Sequence, residues 1–209
     1  MSAFLGKIHY LLYNKIQLQE NILEDIAEFA KAKGIPAEDI ASKINNEYGY
    51  PERGALENVI SHDNIHGWLQ SKIESVESRT AAMITELTGN YGIKTEELQE
   101  IFYKNGEAAR QNLDDYDYSP EDMFALIYNH LLEGMPCDRI NEVVYGSEEE
   151  FAWQTTRCIH ADAWNSAKGD INVFYLMRDA WIKGFLQGGS VKFSYTRTED
   201  GLNKIRKGQ

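Results

Sequence analysis

The chain has 209 residues and 43 % hydrophobic content, enough to bury a sizeable core and too apolar for a disordered polymer. Lys and Arg total 21 against 33 Asp and Glu, a formal charge of −12. Such a field repels a phosphate backbone, so no nucleic-acid partner is expected, and no apolar run approaches the ~20 residues of a membrane span, so no membrane partner is expected either.

The opening "MSAFLGKIHYLLYNKIQ" is interrupted by Lys7, His9, Asn14 and Lys15 and does not read as a signal peptide. It starts a long amphipathic helix instead. Leu5, His9, Leu12, Ile16, Leu23 and Ile26 or Ala27 share one face, and Gly34 stops it with Lys31 and Lys33 in the last turn. "IPAEDIASKINNEYG" follows as a short helix with Pro36 at its start and acids in its first turn. The same device recurs after Gly92 ("IKTEELQEIFYKNG") and after Gly134 ("MPCDRINEVVYG"): a long helix ends at glycine and an acid-capped helix begins. "IHYLLYNKI" (8–16) and "IHGWLQSKI" (65–73) echo one another, which suggests a tandem arrangement.

"YGYPERG" (48–54) and "NLDDYDYSPED" (112–122) are linkers, the second ending in Ser119 as N-cap and Pro120 at the first helical position. "YGSEEEF" repeats the cap with Ser147, opening aromatic helical stretches at about 150–167 and 171–187. Val191, Phe193 and Tyr195 then alternate with polar residues at the period of a strand. A lone strand needs a partner, supplied either by a hairpin beyond Thr198 or by a second copy of the chain as a homodimer; "EVVY" is a weak further strand candidate. "NKIRKGQ" reads as a basic solvated tail.

The fold expected from these elements is all-α: a bundle of about seven to eight helices with helix–Gly–short-helix units and a single C-terminal β-strand. One domain over 1–209 is expected, with sub-regions 1–110 and 111–209.

Three Ile-His dipeptides carry the functional expectation. His9, His66 and His160 each sit on or beside an apolar helix stripe, where an imidazole must hydrogen-bond or ligate something. Three imidazoles with an open position make a divalent-metal site, zinc or iron, in a metal-dependent enzyme acting on a small molecule. His62 and Asp63 would supply acid–base groups, and Trp164, Arg178 and Trp181 would contact the bound ligand or cofactor. The alternative is a non-enzymatic ligand-binding, regulatory or helical interaction protein with these histidines in the core, haem being a candidate ligand. Di-iron chemistry is disfavoured, because no Glu-x-x-His string occurs. Cys137 and Cys158 form no disulfide framework, so the expected compartment is the cytoplasm.

The twelve residues "HDNIHGWLQSKI" (62–73) resemble the H-x-x-x-H arm of DinB-like proteins, which are four-helix bundles with a three-histidine metal site. The order and spacing of the remaining histidine depart from that pattern, and no membership is drawn from it.

Overall fold

A computed structural model describes residues 5–208. The elements run α1 (Lys7–Ala32), α2 (Ala37–Tyr48), α3 (Leu56–Val59), α4 (Ile65–Asn90), α5 (Thr95–Gln111), α6 (Pro120–His130), a 3-10 turn (Pro136–Asp138), β1 (Asn141–Gly146), β2 (Glu150–Thr155), α7 (Ala161–Ser166), α8 (Ile171–Gln187), β3 (Phe193–Arg197) and β4 (Leu202–Lys207). The all-α expectation with one C-terminal strand is overturned. The described residues are 60 % helical with 11 % strand, and the four strands among them form one antiparallel sheet in the order β1-β2-β4-β3.

The chain divides into two compact units, each assembled from separated segments. The first comprises the residues up to Ile93 with His130–Met135 and His160–Ile171; the second comprises Lys94–Asn129, Pro136–Ile159 and the residues from Asn172 onward.

In the first unit α1 and α4 run parallel. Their N-terminal turns meet at His9 and His66, and contacts further along join Gln19 to Thr80 and Glu20 to Arg79. Their shared apolar face, with Leu12, Ile16, Leu69, Ile73 and Val76, forms a buried cluster that also takes in Leu56 and Leu132. The echo between the two sequence stretches therefore corresponds to two helices of 26 residues packed side by side. Gly34 stops α1 as expected: it holds φ +77°, the left-handed conformation that glycine adopts without a Cβ penalty.

The second unit is built on the sheet and the pair α5–α8. Phe151 and Trp153 lie on one face of β2, and Phe124 of α6 covers both, with ring centroids at 4.9 and 4.8 Å. Ala152 points to the other face and is also buried, so β2 is covered on both sides. α5 and α8 cross at two glycines. A Cβ on Gly184 would lie 1.9 Å from the Tyr103 carbonyl oxygen, and one on Gly106 would lie 2.1 Å from that of Trp181.

Three expected elements change identity. The short helix after Gly134 is only a 3-10 turn, followed by β1, which contains the weak candidate "EVVY". The helix expected from Ser147 is instead a hairpin. The Ser147 hydroxyl accepts the Glu149 and Glu150 N–H groups, which closes the β1–β2 turn. The helix after Gly92 forms, but runs 17 residues rather than being short. The basic tail is β4, an inner strand, with Arg206 and Lys204 both held on Glu150. β3 finds its partner within the chain, by the hairpin beyond Thr198.

Candidate functional site

Asn64 caps α4 by accepting the Gly67 N–H at 3.0 Å. His62 and Asp63 therefore lie in the exposed turn before the helix, outside the i,i+4 geometry that would let His62 and His66 face one point.

His66 does meet His9, with the two Nε2 atoms 3.3 Å apart. Two imidazoles on one tetrahedral ion place their nitrogens about 3.3–3.4 Å apart, so the separation suits a metal. The protons do not. His9 Nδ1 accepts the Gly6 N–H at 3.0 Å, so a neutral His9 carries its proton on Nε2 and donates it to His66. A metal-bound histidine has the reverse arrangement, with the remote nitrogen donating. Two helix N-termini converge here as well, and their dipoles disfavour a cation. The pair works as it stands as a hydrogen-bonded latch between the starts of α1 and α4.

His160 is elsewhere. It is buried, and its Nδ1 lies 2.8 Å from Glu77 Oε1. Glu77 follows His66 on α4 by eleven residues, about 16 Å along the axis at 1.5 Å per residue. The structure thus joins two of the three histidines and sets the third apart, tying α7 to α4. Among the described residues no group of three or more His, Cys, Asp or Glu side chains is placed to hold an ion.

The three expected ligand contacts are packing residues. Trp164 is buried in α7 against Gly169. Trp181 stacks on Phe185 at 5.2 Å and donates its indole N–H to Asn105 on α5. Arg178 is buried beside Tyr195, whose hydroxyl also bonds Asn203 and Asp179. Burial pushes the Tyr195 phenol far above its ordinary range.

A cavity does exist within the first unit, in a place the sequence did not mark. It has a volume of about 400 Å³ and lies between α2, α4 and the turn after α7. That is in the usual range for a small-molecule site. Ile44 and Ala82 form part of its floor, and Lys43, Glu47, Glu86 and Lys168 are among its charged lining. Two features single it out. The Thr85 hydroxyl in its wall is sealed from solvent and has no hydrogen-bond partner. Lys168 has φ +56°, a conformation that costs an L-residue about 1–2 kcal/mol. Gly169 follows immediately and has no positive φ, so the strained position at the end of α7 is held by a lysine although glycine would adopt it freely. Backbone strain of this kind gathers where a side chain is needed.

Sequence reasoning missed these residues because they come from three elements with no shared spacing. The one available signal was "AKGD" (167–170), where a left-handed helix stop was legible but would have been assigned to the glycine.

Lys15 offers a pH readout on the same unit. It is 5 % exposed, and burial lowers its ammonium pKa to about 8, with the Glu133 carboxylate pulling the other way. Between pH about 8 and 10.5 the unfolded chain keeps this proton and the folded chain does not, so stability climbs with pH. Burial raises the Tyr13 phenol above 10, so above that pH the unfolded chain loses a proton that the folded chain retains, and the climb ends. Urea titrations should show a gain of about 1 kcal/mol between pH 8 and 9, absent in Lys15→Met. A flat profile in the parent protein would show that Lys15 is not desolvated.

No protein-family model matches the chain, and no solved structure matches it. It is similar to the outer membrane usher protein AggC of Escherichia coli, at 30 % identity over 146 residues, covering 56 % of this chain. The chain spans only 17 % of that relative's length. No helix among the described residues is long and apolar enough to cross a membrane.

Proposed function

We propose that the protein is a non-enzymatic small-molecule-binding protein whose ligand sits in the cleft between α2, α4 and the turn after α7. The observation that carries this reading is the coincidence, in one cavity of about 400 Å³, of a sealed hydroxyl without a partner and a lysine held in a left-handed conformation. Both features are uncommon in a folded chain, and here they adjoin one cleft. The protein works in a reducing compartment, the cytoplasm. Supporting this, Cys137 and Cys158 are both exposed thiols outside any disulfide.

Ala82 lines the cleft and is half-exposed, so Ala82→Phe fills the cavity without entering the core. Small organic fragments screened by amide chemical-shift mapping should converge on Ile44, Thr85 and Lys168. The same fragments should leave Ala82→Phe unshifted while its melting temperature stays within ~2 °C of the parent. Shifts scattered over the surface, or equal in the filled variant, would remove the cleft as the site.

A further inference from the structure

The cleft's charges differ in what they lack. Glu86 already accepts the Asn90 amide at 2.7 Å, and Glu47 is hydrogen-bonded to Tyr48. The Lys43 and Lys168 ammonium groups, in contrast, are held by no carboxylate among the described residues; both side chains are exposed and line the same cavity. The cleft therefore presents two exposed cations to an acceptor that carries negative charge. It stands out on a chain of net charge −12, whose general field repels anions. Ile40, Ile44 and Ala167 supply apolar wall beside the lysines.

We infer that the ligand class is a small organic carboxylate with an apolar body, its carboxylate on the Lys43 and Lys168 ammonium groups and its body against the isoleucines of α2. A carboxylate offers lone pairs to two ammonium groups at once, and charge-assisted bonds are the stronger kind. A bare inorganic anion would leave the apolar wall unused. This inference rests on the cleft being the binding site, and the test separates the two.

Three probes of equal length are titrated into labelled protein: hexanoate, hexanamide and hexylamine. Hexanoate should shift the amides of Lys43, Ile44, Thr85 and Lys168 with a dissociation constant at least ~10-fold below those of the other two, a 1.4 kcal/mol difference. Lys168→Gly is the decisive variant. It relieves the left-handed strain, so its melting temperature should rise by about 2 °C while hexanoate affinity falls about 5-fold. Lys43→Gln should lose a similar factor with no change in melting. If all three probes shift the same amides with equal affinity, the cleft stands as a site and the carboxylate class is overturned. If none shifts them, both readings fail. A Lys168→Gly protein that melts higher yet binds hexanoate as the parent does would overturn the role of the lysines.

Discussion

Glu20→Gln should destabilise the protein by about 3–5 kcal/mol, the usual cost of stranding one member of a buried ion pair. Glu20 and Arg79 join α1 to α4 through both carboxylate oxygens, one of them 2.9 Å from Nη1, and their side chains are 4 % and 2 % exposed. The Arg79 Nε reaches Ser75 as well, at 3.3 Å. Neutralising the acid leaves a guanidinium with no countercharge and no water. The asymmetry gives the control. Glu20→Leu combined with Arg79→Met removes both charges, and its cost should fall well below that of either single change, because no unpaired charge remains. Urea denaturation of the four proteins closes the cycle. Additive costs would mean that the two side chains do not act as a pair.

Gly184→Ala should cost more than about 3 kcal/mol, beyond the ordinary range for overpacking. The atom that a new methyl would meet is the Tyr103 carbonyl oxygen, part of a helix backbone that cannot rotate away as a side chain would. Gly106→Ala should behave alike, because its methyl would meet the Trp181 carbonyl oxygen. Gly89→Ala is the counter-test. It lies in α4 with nothing within 4 Å of its added Cβ, so it should stabilise by about 0.5–1 kcal/mol through helix propensity alone. Thermal melts followed by circular dichroism read all three. A Gly184→Ala melt equal to the parent's would show that α5 and α8 are not in backbone contact.

α1, its stop at Gly34 and the start of α6 at Ser119 followed from local chemistry, because their caps depend on neighbours in sequence; Ser119 and Asp122 cap each other's backbone and side chain. β3 was legible because Phe193 and Tyr195 are buried and alternate with exposed residues. β2 was not. Phe151, Ala152 and Trp153 are all buried, so the strand shows no alternation and reads as an apolar run. The three acids after Ser147 imitated a helix cap, because a serine that caps a helix and one that closes a turn use the same bonds. β4 was hidden by Lys204 and Arg206, whose charges are matched by Glu150 on the adjacent strand. The meeting of His9 and His66 was half visible in the echo between their helices. The place of His160 was not, because Glu77 lies 83 positions away in the chain.

The strand order has a consequence for how the protein is made. β4 lies between β2 and β3, yet residues 156–201 must be synthesised after β2 before β4 exists. At about 5–20 residues per second, the ribosome takes roughly 2–9 s over that interval. Throughout it the β1–β2 hairpin presents the edge that β4 will occupy, flanked by Phe151 and Trp153 and without its final cover. Those seconds are when nascent chains are most exposed to pairing with one another. Faster translation of the segment through α7 and α8 would shorten that exposure, and slow codons there would lengthen it.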